Sequence, residues 1–151
     1  MNQVRVGAQA LMAMHSLATT GLRKMGVARS RNPLGEFVEF ITADVLGLER
    51  CEPNMRFDAV GPDGLRYEIK GRMSAGSHKA TVLGGFTAGQ FDILVGVFLN
   101  AEADVEVAFS IPHDDAVRLA YETASGRHNI RRNAATLGDS AVTDLTEKFQ
   151  L

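Results

Sequence analysis

Apolar and polar residues follow two periods along this chain, a helical one near its start and a two-residue one through its middle. Over residues 3–24, Val4, Ala8, Leu11, His15 or Ala18, and Leu22 recur at helical spacing, and Gly26 is placed to end the helix. Leu11, Met12, Met14 and Leu17 spread widely around that helix, so the pattern predicts cover on two sides, by its own domain and by a partner chain such as a second copy. After a short break, Asn32 can cap and Pro33 can open a second helix that runs to about Leu46, with Leu34, Phe37, Val38, Ile41 and Val45 as its core stripe. Glu39 and Glu49 read as surface residues.

Residues 55–60 and 65–71 alternate with period two and are joined by Gly61-Pro62-Asp63-Gly64. Pro62 suits the first central position of a type I turn, Asp63 the second, and Gly64 the left-handed residue that closes a three-residue hairpin loop. That turn pairs Gly61 with Leu65, and hence Ala59 with Tyr67, Asp58 with Glu68, Phe57 with Ile69 and Arg56 with Lys70. One face of the hairpin is then apolar and the other ionic. A two-residue loop would mix the faces. Residues 73–90 keep no period and read as a long loop with at most a short strand around 80–83.

The nearly continuous apolar run of residues 91–99 marks a central strand buried on both faces, and Val105, Val107, Phe109 and Ile111 alternate as its neighbour. A helix over residues 113–123, a basic edge strand over 127–132 and a closing helix marked by Val142, Leu145 and Phe149 complete the pattern. His113 beside Asp114 and Asp115 reads as a helix start, where acids complement the dipole, rather than as a metal site. The predicted fold is α/β, a mixed sheet of four or five strands flanked by helices. Residues 1–32 form a basic helical arm packed on the domain made by 33–151.

The ionic hairpin face needs a chemical explanation, because carboxylates directly opposite each other on a sheet repel. A divalent cation removes that repulsion, and hard oxygen ligands at this separation suit Mg²⁺, which commonly takes one or two protein carboxylates and keeps several waters. Lys70, two residues beyond Glu68 on the same face, is placed to neutralise charge on a phosphoryl group or to hold a water for in-line attack. The competing reading is a solvated face of ion pairs.

Asp58, nine intervening residues and then Glu68-Ile69-Lys70 resemble the signature of the PD-(D/E)xK nucleases, the restriction-endonuclease-like superfamily. The resemblance covers roughly residues 34–111, and it departs at Phe57, where the motif has proline. It implies a restriction-endonuclease-like fold and hydrolysis of phosphodiester bonds dependent on Mg²⁺, or on Mn²⁺ in its place. Asp58 and Glu68 are then metal ligands, Ile69 offers its carbonyl, and Lys70 stands beside the attacking water. An acid on the preceding helix, here Glu36, is implied as an auxiliary to the metal; its position on the helix fits a solvated glutamate equally. Arg72, His78 and Lys79 leave the ionic strand where a phosphate backbone can approach, and Gln90 is a weaker candidate to orient substrate. His78 also reads as an ordinary loop histidine.

Composition sets limits on this picture. The 151 residues, 45% apolar and 23% charged, suit one soluble globular domain. The single cysteine, Cys51, forms no internal disulfide, which points to a reducing cytoplasm. No apolar run reaches membrane-spanning length, and Gln9 and His15 interrupt what would be the core of a signal peptide. A net charge of −2 does not advertise a nucleic-acid binder, yet the first 35 residues carry Arg5, Arg23, Lys24, Arg29 and Arg31 and no acid. That basic arm, with Arg127, His128, Arg131 and Arg132, is read as a phosphate contact or as a solvated face. No repeat, Walker loop, zinc-type spacing or serine nucleophile elbow is present. The expected function is a metal-dependent nuclease acting on DNA. The rivals are a nuclease-fold module that binds nucleic acid or a protein partner without cleaving, and a structural domain with an ion-paired sheet face.

Overall fold

The computed structural model describes residues 3–74 and 82–150. His78 and Lys79 lie outside the described residues. Within them the chain forms a mixed α/β fold of two sheets and four α-helices. The six-stranded sheet runs in the order β1 (Glu49–Arg50), β2 (Ala59–Val60), β3 (Arg66–Met73), β5 (Ile93–Leu99), β6 (Val105–Pro112) and β9 (Thr143–Asp144). β3 and β5 are parallel, and the remaining pairs are antiparallel. A smaller sheet comprises β4 (Val82–Phe86), β8 (His128–Arg131) and β7 (Tyr121–Glu122). The helices are α1 (Gln3–Lys24), α2 (Pro33–Leu46), α3 (His113–Leu119) and α4 (Ala134–Leu137), and a 3-10 turn, Thr146–Phe149, closes the chain. The main sheet exceeds the predicted four or five strands because β1 and β9 have two residues each, too few to display a period.

Local signals act as the sequence suggests in the first half. The Asn32 side chain accepts the Gly35 N–H at 3.1 Å, Pro33 occupies the first turn of α2, and Gly47 ends it at φ +65°. β5 is the spine: Leu94, Val95, Val97, Phe98 and Leu99 are fully buried. One face of the sheet sets Ile69, Val95, Val97 and Leu99 against Val38 of α2. The other packs Leu94, Phe98 and Phe109 on Leu83, Phe86 and Ile130 of the smaller sheet. A continuous apolar run is what a strand covered on both sides requires.

Two glycines allow these layers to meet. A Cβ on Gly71 would lie 2.4 Å from Val38 Cγ2, and one on Gly96 would lie 2.4 Å from Leu83 Cδ1 and 2.5 Å from Phe109 Cζ. Gly71→Ala is therefore expected to push α2 off β3 and to destabilise the protein by about 1–3 kcal/mol, read as a lower urea midpoint. A loss below about 0.5 kcal/mol would mean that α2 is not held at this distance.

Elsewhere long-range pairing overrides the pattern. α1 ends as predicted, with Gly26 at φ +73°; none of its residues is buried, and Thr19, Gly21 and Leu22 near its end are half-buried. Only beyond it are Val27 and Ala28 buried. α3 stops at Leu119, short of the predicted 123, because Ala120 turns extended and Tyr121–Glu122 pairs with β8 across a turn at Gly126. The basic strand β8 lies in the middle of the smaller sheet, not at an edge, since β4 pairs with its other side. The predicted closing helix is replaced by β9 and the 3-10 turn; Asp144 accepts the Thr146 N–H at 2.8 Å and Leu145 donates to the Ala108 carbonyl at 2.8 Å. Among the described residues, no helix is long and apolar enough to cross a membrane.

Candidate active site

The hairpin turn sets the start of the site. Gly61 donates to the Leu65 carbonyl and Gly64 to the Gly61 carbonyl, each at 2.9 Å, with Gly64 at φ +82°. The register follows, with Val60 opposite Arg66 and Ala59 opposite Tyr67. There the ladder stops. The Asp58 N–H also donates to the Tyr67 carbonyl, at 2.9 Å, so two residues oppose one and the strand bulges on its β3 side, while the Asp58 carbonyl still accepts the Cys51 N–H on the β1 side at 2.8 Å. The predicted pairs Asp58 with Glu68, Phe57 with Ile69 and Arg56 with Lys70 do not form. The physical reason is electrostatic. Facing carboxylates would be desolvated together, whereas the bulge gives one Asp58 oxygen the Ile69 N–H at 2.7 Å, a charge-assisted bond.

This truncation opens an edge of β3. Backbone groups of alternate β3 residues point to β5, as the Arg66 carbonyl does in accepting from Asp92 and Ser74 does in donating to Leu99. The groups of Tyr67 and Ile69 point the other way, to Asp58. In an extended strand the N–H and C=O of one residue share a side, so the Ile69 carbonyl faces the edge that β2 leaves vacant. It lies beside the Asp58 carboxylate, whose second oxygen makes no hydrogen bond among the described residues.

Glu68 and Lys70 project from the face of β3 away from α2, because Gly71, on the alternate face, is the residue that meets Val38. Glu68 is only 7% exposed and is held by Lys70, Nζ to Oε1 at 2.6 Å. Burial raises the Glu68 carboxyl above its ordinary range; Lys70 opposes the rise and the charge of Asp58 adds to it. Burial likewise raises Asp58, against the Ile69 N–H, Lys70 and Arg29. The two acids and the lysine therefore share one electrostatic environment.

α2 brings further acids from the opposite side. Glu36 is buried, accepts the Arg29 backbone N–H and lies 3.6 Å from the Arg29 guanidinium, so it is neither solvated nor free. Glu39, read from the sequence as surface, is half-buried one turn further on, 3.5 Å from the same guanidinium. Its carboxyl is pushed up to about 7, first by burial and then by Asp58 and Glu36. A cavity of about 150 Å³ collects Glu36, Glu39, Cys51 and Asp58; Glu68 and Lys70 are outside its lining. Periodicity could not reveal Glu39, because the segment that shares its cavity, from Cys51 to Asp58, is irregular and keeps no period.

Arg127 is a second residue that position alone concealed. From the turn between β7 and β8 it donates to the Gly85 carbonyl, and its charge reaches Glu68. Arg72, on the same face of β3 as Lys70, is exposed and donates to the Val82 carbonyl at 3.2 Å. Other candidates are separated from this group. Gln90 is half-buried beyond β4 and makes no hydrogen bond to Asp58, Glu68 or Lys70 among the described residues. His113 latches a loop: Nε2 accepts the Gly89 N–H at 2.7 Å and Nδ1 meets Asp114 at 2.8 Å. Arg132 pairs with Glu106 at 3.3 Å, and Arg131 lies over Tyr121. Arg29 also holds the Cys51 carbonyl at 2.9 Å, which ties this part of the basic arm to the site.

As a donor set, the edge of β3 offers hard oxygens only: Asp58, Glu68 and the Ile69 carbonyl, with Glu39 across the cavity. No group of three His, Cys, Asp or Glu side chains close enough to enclose a metal occurs among the described residues. Asp58 and Glu68, both raised by burial, are the carboxylates that could hold a cation at this edge. Set against known proteins, the chain matches no family model and no curated protein.

Proposed function

We propose that this chain is a metal-dependent nuclease with a restriction-endonuclease-like fold, hydrolysing phosphodiester bonds in DNA. One observation carries the reading: the Asp58 carboxylate binds the N–H of Ile69, which brings an acid to the middle of Glu68-Ile69-Lys70 at an open strand edge. Asp58, Glu68 and the Ile69 carbonyl would hold Mg²⁺ or Mn²⁺. When bound, the ion supplies Lewis acidity toward a water nucleophile and the phosphoryl oxygens. The residues do the rest. Glu39, poised near neutrality, takes the proton of the attacking water. Lys70 leaves Glu68 to offset charge on the phosphoryl group, and Arg72 and Arg127 hold flanking phosphates. Water adds to phosphorus as the sugar oxygen leaves on the opposite side.

Incubation with single-stranded, duplex and branched DNA and with RNA, with Mg²⁺ or Mn²⁺ and with chelator, tests this reading. Metal-dependent cleavage of DNA is the expected result. Binding should weaken steeply with salt, and Arg72→Glu should reduce the slope of log K against log salt by about 1 or more. An unchanged slope removes Arg72 from the phosphate path.

The Glu68–Lys70 ion pair supports a second reading. An ammonium already neutralises that carboxylate at 2.6 Å, which suits a module that binds nucleic acid or a protein partner without cleaving. Tight, metal-independent binding with no cleavage on any substrate of the panel would decide for it.

A further inference from the structure

The longest helix among the described residues is covered only toward its C-terminal end, where Thr19, Gly21 and Leu22 are half-buried. α1 runs for 22 residues without one buried side chain, and Leu11, Met14 and Leu17 are 68%, 66% and 73% exposed. Leu11, Met14, Ala18 and Leu22 follow helical spacing and form one apolar stripe. Arg5 lies toward one end of the helix, Arg23 and Lys24 toward the other, and α1 contains no acid. A contiguous apolar stripe of this length marks an interaction surface.

A complementary surface exists on the far side of α2. A groove of about 470 Å³ runs between Phe37, Ile41 and Val45 of α2 and Phe149 of the closing turn. Asp44 and Asp104 line it as well, and among the described residues its lining holds no Lys or Arg. Apolar floor and acidic rim match the apolar stripe and basic ends of α1. Pairing of α1 with itself fits less well, because in either direction its cations would meet cations.

We propose that α1 of one copy docks in the α2 groove of a second copy, and that the exchange is reciprocal, giving a two-fold symmetric dimer. Exchange of one element between identical chains closes on itself and needs no other surface. The stripe from Leu11 to Leu22, about 17 Å long and about 10 Å wide, covers roughly 170 Å². Two such contacts, counted on both surfaces, bury roughly 700 Å², the size of a weak, concentration-dependent association. The inference does not depend on the catalytic reading, since neither surface includes Asp58, Glu68 or Lys70.

The test is pairwise cross-linking of the full chain in a Cys51→Ser background, with mass measured by light scattering. Mixing Ala18→Cys protein with Val45→Cys protein should give a disulfide-linked heterodimer, and wild type should shift toward the mass of a dimer as its concentration rises. Leu11→Asp and Asp44→Lys, both at exposed positions, should each weaken the dimer at least about tenfold while leaving the circular dichroism of the fold intact. Three results overturn the proposal. They are a monomeric wild type at every concentration reached, a link between two Ala18→Cys chains with none to Val45→Cys, and an intramolecular link in the Ala18→Cys/Val45→Cys double variant at monomer mass. The last would mean that α1 folds back onto its own groove.

Discussion

Lys70→Ala is expected to lower DNA cleavage by about 10²–10³-fold while the protein still binds Mg²⁺, because an ammonium aimed at developing charge acts mainly in the transition state. Its paired change behaves differently. Glu68→Gln removes a ligand charge, so metal affinity and cleavage should fall together. Stability without metal separates the two variants further. The Glu68 carboxyl is raised in the fold, so burial and Asp58 disfavour its charge more than Lys70 favours it. A neutral glutamine there should leave the metal-free protein as stable or slightly more so. Alanine at position 70 removes the counter-ion at 2.6 Å and leaves a buried carboxylate unpaired, so the metal-free protein should become less stable and Glu68 should titrate still higher. Cleavage by Lys70→Ala within about tenfold of wild type would remove the lysine from the reaction.

Glu39→Gln should stabilise the metal-free protein at alkaline pH and lower cleavage about 100-fold, the contribution of a positioned proton acceptor. The sign follows from the carboxyl lying at about 7 in the fold, against 4.5 ordinarily. Between those values the folded protein binds the proton and the unfolded chain does not, so stability declines as pH rises through this window. The penalty is absent below the lower value and complete above the higher one. A fifth of the side chain is reached by water, so the full penalty is of order 1–2 kcal/mol, a shift of about 2–8 °C in Tm for a chain of this size. Thermal unfolding of both proteins from about pH 4 to 9 measures it; the curves should coincide below about 4.5, part progressively up to about 7 and stay fully apart above that. Parallel curves throughout would place Glu39 in open solvent. Added Mg²⁺ should raise the Tm of wild type more at pH 8 than at pH 5, because a cation and a proton compete for the same carboxylates.

Much of the framework was legible in one dimension. The bounds of α1 and α2, the Gly61–Gly64 turn, the register of Ala59 on Tyr67 and the buried β5 spine each follow from residues within a few positions of one another, where capping, turn chemistry and side-chain period act. One hairpin joins Asp58 to Glu68 and Lys70, so their charges interact, but the facing of Asp58 on Glu68 that the pattern predicts does not form. What local chemistry could not decide was anything settled by a partner distant in the chain. The helix predicted over 113–123 lost its last turns to pairing with β8. Asp58 left the ladder because a carboxylate gains more from the Ile69 N–H than from facing Glu68. Glu39 became a group titrating near 7 because the chain around Asp58 folds over it, and Arg127 reached the site only through the smaller sheet. Short-range geometry thus determined the elements and the motif. Desolvation, which depends on everything packed around a group, was decided by the tertiary structure, and it is the first cause that raises Glu39, Asp58 and Glu68.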